Sequence, residues 1–162
     1  MLFRSVENGA HIVTQQFLDS FLILSGSGIT FGLVVAMLFA AKSKQYKALG
    51  KVAAFPAIFN VNEPVVFGFP IVMNPVMFLP FILVPILAAI IVYASIAIGF
   101  MHPFSGVTLP WSTPAIISGF MVGGWQGAFV QVLVLATSTV VYFPFFKFQD
   151  NLAYNNELQA EK

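Results

Sequence analysis

The 162-residue sequence contains no cysteine and very little charge. Asp, Glu, Lys and Arg make up 8% of it, against 59% hydrophobic and 15% aromatic residues. Without cysteine there is no disulfide, no thiolate metal ligand and no covalent chemistry through sulfur, and the redox compartment is left open. Soluble domains carry about 25% charged residues, so this composition argues against a water-soluble globule. Disorder needs low hydrophobicity and high charge, and is excluded by the same figures. The net charge of +1 gives no reason to expect a nucleic-acid partner. No phosphate-cradling glycine loop, nucleophile elbow or carboxylate pair is present. The two histidines, His11 and His102, are too far apart in sequence to suggest a metal site, and no cofactor is expected. Met1 to Ser5 are followed by neither an apolar core nor a small-residue cleavage site, so they do not read as a signal peptide. What remains is a polytopic membrane protein, or a piece of one.

Charge placement says more than charge content. Between Lys51 and Lys147 lie 95 residues with one charged side chain, Glu63. A spanning helix needs about 20 apolar residues. Three segments meet that requirement: Phe21 to Ala41 behind a helix cap at Asp19-Ser20, Val76 to Phe100 with kink sites at Pro80 and Pro85, and Ile117 to Phe146. Lys42, Lys44, Lys47 and Lys51 form a basic loop, which stays in the cytoplasm. By parity the first span runs inward, the second outward and the third inward, leaving residues 147–162 as a cytoplasmic polar tail. In the first span, Gly28 and Gly32 form a small-residue packing pattern; a substrate passing close to bare backbone is the alternative. The expected domains are an N-terminal segment (1–19), a transport domain (20–146) and the tail. MLFRS at positions 1–5 also looks like translated sequencing-adapter DNA fused to a truncated reading frame.

Two further segments are too apolar for solvent loops and too broken for continuous helices. Residues 52–75 read VAAFPAIFNVNEPVVFGFPIVMNP, and residues 101–116 read MHPFSGVTLPWSTPAI. Such backbone is tolerated at membrane depth only where it is buried in protein or lines a wet cavity, and transporters use broken elements of this kind around a substrate. One hairpin is expected to enter from each side of the membrane. Glu63 stands out as a carboxylate at membrane depth, functional by default. With no Lys or Arg in residues 52–146 to neutralise it, it is either protonated or bound to polar groups. Asn60 and Asn62 flank it, and amides and a carboxylate gathered at one tip match the hydroxyls of a sugar; a Glu that caps the hairpin through backbone N–H groups is the bland alternative. Trp111, in TLPWSTP, offers a flat face to a pyranose ring, and interface anchoring is equally open to it. Trp125, in GGWQG at the head of the last helix, reads as an interfacial anchor, and His102 as a packing or solvent-facing residue.

The stretches FNVNEPVVFGFPIVMNPVMFLPFILVP and GVTLPWSTPAIISGF resemble the membrane permease component, IIC, of the bacterial phosphoenolpyruvate-dependent sugar phosphotransferase system. The closer likeness is to its lactose/cellobiose (diacetylchitobiose) family, and it extends from about Ile12 to Phe146. The resemblance implies an all-α membrane protein, with about three transmembrane helices and two re-entrant hairpins forming the C-terminal transport part of a ten-helix permease. It also implies a multi-pass protein of the bacterial cytoplasmic membrane, a disaccharide substrate such as cellobiose, lactose or diacetylchitobiose, separate IIB and IIA proteins as partners, and a homodimer in the full-length parent. Asn60 and Glu63 would hydrogen-bond the sugar, with Glu63 as the catalytic residue near the 6-hydroxyl that receives phosphate, and Asn62 and Trp111 would complete the contacts. The family's histidine lies in an upstream Gly-Ile-His-Gly-like motif, which neither His11 nor His102 matches. Two other readings compete: a secondary transporter or channel fragment in which Glu63 is a proton or cation site, and an inert truncation product.

Overall fold

The computed structural model describes residues 18–69, 71, 73–101 and 109–160; His11, His102 and the MLFRS start lie outside them. The first apolar run breaks where its glycines allow it. A turn of π-helix, Leu18–Leu22, occupies the expected cap, and residues 23–30 then follow an irregular path with positive φ at Ser25, Gly26, Gly28 and Ile29. Only Phe31–Ala40 (α1) is helical. Ten residues rise roughly 15 Å, half of a hydrocarbon core, so the single helix expected over 21–41 is absent. The irregular half is tolerable because side chains, one of its own and three from other elements, satisfy its carbonyls. Thr30 Oγ1 donates to Ser25 O (3.2 Å), Asn62 Nδ2 to Ser27 O (2.8 Å), Tyr142 OH to Gly28 O (2.8 Å) and Ser138 Oγ to Ile29 O (2.6 Å).

The lysine-rich segment is helical rather than a loop. Lys, Gln, Ala and Leu are good helix formers, and Ser43 caps Lys44–Ile58 (α2) by accepting from Tyr46 N. Tyr46, Gly50, Ala53 and Ala57 make its buried face, and Gly50 lets α2 approach Met37 of α1. The helix ends at Asn60, whose left-handed φ of 62° sets two closing bonds: Asn60 N to Ala57 O (3.3 Å) and Val61 N to Pro56 O (3.1 Å). This is the Schellman pattern, with Asn in the place glycine often takes. Glu63–Gly68 (α3) then folds back along α2. Gly68 meets Leu49, and Phe69 stacks on Tyr46 with ring centroids 4.5 Å apart.

Pro75–Ala97 (α4) starts at Asn74, whose side chain accepts from Val76 N and from Gln149 Nε2. Its far end, at Phe100, meets Trp125 and Phe129, so α4 runs against the last helix. That last helix, Ile117–Ala160 (α5), is interrupted at Gly123 and Gly124. Gly124, with φ 63° and ψ −155°, adopts a conformation open essentially to glycine alone. The short limb before it folds back on the long limb, which starts at Trp125, and Gly119 and Gly127 touch through their backbones. The long limb runs alongside α1 in the same direction, with Gly32 against Ser138. Among the described residues, two helices, Pro75–Ala97 and Ile117–Ala160, are long and apolar enough to cross a membrane.

Residues 147–160 continue α5 and dock on the start of α2. The buried carboxylate of Asp150 accepts from Lys42 N (2.8 Å) and Ser43 N (3.0 Å). Glu157 accepts from Ser43 Oγ (2.7 Å), Lys44 N (3.0 Å) and Gln45 N (3.1 Å). The donors left over at a helix N-terminus are thus taken by two carboxylates, and the helix dipole favours negative charge there. The Ser43 hydroxyl, then the two backbone N–H groups, hold the Glu157 carboxyl below its ordinary value. The tail and the lysine-bearing end of α2 therefore lie on one side of the molecule.

Candidate functional site

Two chain reversals face each other: the α2–α3 turn at Phe59–Asn62, and the 109–116 segment that leads into α5. Asn60 joins them. Its Oδ1 accepts from Ser25 N (2.7 Å), and its Nδ2 donates to Trp111 O (2.7 Å) and Thr113 O (2.9 Å). One amide therefore ties the 23–30 loop, the α2–α3 turn and the Trp111 loop together. Asn62 packs over Gly26, where any side chain would strike its carboxamide, and donates to Ser27 O. Both asparagines are buried. The amides that sequence reasoning assigns to a sugar are here bonded to backbone, and both N–H groups of Asn60 are committed.

The other two candidates are open. Trp111 is 66% exposed; its carbonyl, not its indole, is what Asn60 holds. Glu63 is exposed at the first residue of α3, so within this chain its side chain is not buried among other side chains. The cause is the short helix itself. Val65 is its buried residue, and Glu63, two positions earlier, points about 200° away around the helix. Asn60, Trp111 and Thr113 line a small cleft with Asp19, Leu109, Pro110 and Ser118, so a second carboxylate, Asp19, stands at the junction. Sequence reasoning used Asp19 only as a helix cap.

Sequence reasoning also missed Gln131. Its side chain is fully buried on the long limb of α5. Its Oε1 accepts from Ile116 N (2.6 Å) and Gly119 N (3.0 Å), and its Nε2 donates to Ser118 Oγ (2.9 Å). The available signal was a carboxamide in the middle of the apolar stretch GAFVQVLVLA.

Residues 2–85 match the family model "Phosphotransferase system, EIIC". The chain belongs to this EIIC family. Among EIIC relatives, the lichenan permease IIC component of Bacillus subtilis (strain 168) is 44% identical over 161 residues, covering 98% of this chain and 36% of that protein. The cellobiose-specific EIIC component of Geobacillus stearothermophilus is 42% identical over 154 residues, covering 93% and 34%. The crystal structure of ChbC, the IIC component of the N,N'-diacetylchitobiose-specific phosphotransferase system, superposes with a TM-score of 0.87 at 40% identity, covering 90% of this chain and 34% of that one. The chain thus spans about a third of the length of the EIIC proteins it matches.

Proposed function

We propose that this chain is the sugar-handling part of a IIC permease, which takes up a β-linked disaccharide of the cellobiose, lactose or diacetylchitobiose type coupled to its phosphorylation. The observation that carries this reading is the junction of two chain reversals through Asn60, with Trp111 exposed on the cleft there and Glu63 exposed at the start of α3, in a chain of the EIIC family. The two reversals are the re-entrant hairpins, and they meet near the membrane midplane. Trp111 stacks on a pyranose face, and Glu63 takes the proton of the 6-hydroxyl. As that oxygen bonds to phosphorus, the phosphocysteine of a IIB partner, itself charged by IIA, loses its S–P bond. Asn60 and Asn62 contribute chiefly by holding the hairpin tips, and the second lone pair of Asn60 Oδ1 remains available to a hydroxyl. The complete permease works as a homodimer.

Trp111 provides the test. In a full-length permease carrying this chain, Trp111→Ala is expected to weaken cellobiose binding about 5–150-fold, by analogy with base stacking on aromatic rings at about 1–3 kcal/mol, while Trp111→Phe keeps part of the affinity. Equilibrium binding normalised to folded protein measures this. Unchanged affinity in Trp111→Ala, with lower membrane yield, would return Trp111 to the role of interface anchor.

Lys42, just before α2, and Lys44, Lys47 and Lys51 within it support a cytoplasmic location for that end, and the tail docked on it by Asp150 and Glu157 would share that side. Cysteines introduced at Gln45 and Asn156, which line one groove between α2 and the tail, are expected to resist an impermeant thiol reagent added to intact cells. Labelling of either from outside would reverse the orientation, and labelling of one alone would also break the docking.

A further inference from the structure

Among the described residues, four with side chains hold left-handed backbone: Ser25 (φ 56°), Ile29 (φ 49°), Asn60 (φ 62°) and Ile116 (φ 73°). For β-branched isoleucine this is a true outlier, and such strain persists only where its surroundings enforce it. At three of the four positions a polar side chain from another element bonds the strained residue's own backbone. Asn60 accepts from Ser25 N, Ser138 donates to Ile29 O, and Gln131 accepts from Ile116 N.

Of these, Asn60 belongs to the proposed sugar site and Ser138 braces the 23–30 loop, while Gln131 braces the segment that carries Trp111 and has no sugar contact to account for it. A polar side chain buried in an apolar helix is costly unless its groups are bonded. Here the carboxamide takes two N–H groups at the open start of the short α5 limb and gives one bond to Ser118. It can reach them only because Gly119 and Gly127 bring the limbs into backbone contact; a Cβ on Gly119 would stand 2.6 Å from the Gln131 carboxamide carbon. Three residues before Ile116, the same segment presents Thr113 O to Asn60.

We propose that Gln131 is a positioning residue for the Trp111 loop: it holds Ile116 in its left-handed conformation and so sets where residues 109–113 stand against Asn60. The consequence for sugar binding rests on the function proposed above, but the positioning role does not.

The test reads the Thr113 amide, which bonds Pro110 O at 3.0 Å and makes no bond to Gln131. Its protection therefore reports the loop and not the deleted partner. In the chain purified in lipid nanodiscs, Gln131→Met is expected to speed hydrogen exchange at Thr113 about 10- to 100-fold, the scale set by losing two or more hydrogen bonds. Glycine takes positive φ without penalty, and Ile116 is 46% exposed, so Ile116→Gly removes the strain with little loss of packing. The double variant Gln131→Met/Ile116→Gly is expected to recover most of the protection; a role limited to filling space would not be rescued in this way. If Gln131→Met alone does not accumulate, the double variant is expected to restore a folded chain. Unchanged Thr113 exchange in Gln131→Met, or a double variant no better than the single one, would overturn the proposal. Cellobiose affinity, measured separately in a full-length permease, is expected to follow Thr113 protection across the variants. Protection that responds while affinity does not would leave the positioning role standing and count against the sugar site.

Discussion

Asn60→Asp is expected to cost the fold about 2–4 kcal/mol, well beyond what the loss of one surface contact would give. Aspartate has the same length, and its retained oxygen can still accept from Ser25 N. Its second oxygen replaces the nitrogen that donates to Trp111 O and Thr113 O, so two bonds vanish and a negative charge faces two carbonyls. Buried groups left without partners account for most of that figure. Asn60→Ala loses all three side-chain bonds and keeps a left-handed φ that alanine resists, whereas Asn60→Gly loses the bonds but accepts the backbone. The expected order of stability is therefore wild type, then Gly, then Ala, read from thermal inactivation in detergent. An Asn60→Asp protein with unchanged melting and weaker sugar affinity would make Asn60 a ligand first and a brace second.

That contrast shows what the sequence could convey. The amide chemistry of Asn60 is visible in FNVNEP, but its partners are backbone groups 35, 51 and 53 positions away, and no spacing reveals those. The one local hint was asparagine's tolerance of left-handed backbone at the end of a helical run. The span over Pro75–Ala97 was legible because proline and asparagine mark its start and an unbroken apolar run sustains it. The last span was expected to be continuous over 117–146, and the break at Gly123 and Gly124, which makes Trp125 the first residue of the long limb, was not read from the two glycines that permit it. Hydropathy could not reveal the break in residues 21–41. The same glycines that suggest close helix packing also permit the positive φ found at Gly26 and Gly28, and only the donors supplied by Asn62, Ser138 and Tyr142 decide between the two outcomes. The lysine segment misled for a related reason. Its charge locates it relative to the membrane, while its helix-forming residues and the Ser43 cap set its conformation. Asp150 and Glu157, seven residues apart on one helical face, were the unread sign that the tail has a docking partner.

Glu63→Gln in a full-length permease carrying this chain is expected to lower sugar phosphorylation at least about 100-fold while leaving the fold unchanged. Asn60 is built into the scaffold, but Glu63 is not: it is exposed at the start of α3, and among the described residues no hydrogen bond engages its carboxylate. Glutamine keeps the length and one acceptor oxygen, so cellobiose binding should weaken only about 3- to 10-fold, the difference between a charged and a neutral acceptor. It cannot take a proton from the 6-hydroxyl as that oxygen attacks phosphorus, and loss of a positioned base typically removes about two to four powers of ten in rate. Binding and phosphorylation are measured on the same purified protein, with a phosphorylated IIB partner supplied in trans. Equal losses in the two would reduce Glu63 to a binding group, and no loss in either would remove it from the site. A third outcome separates the classes of transporter. If uptake in cells is abolished by collapsing the proton gradient and is indifferent to phosphoenolpyruvate, then Glu63 serves a proton-coupled carrier, and the phosphotransfer role falls with it.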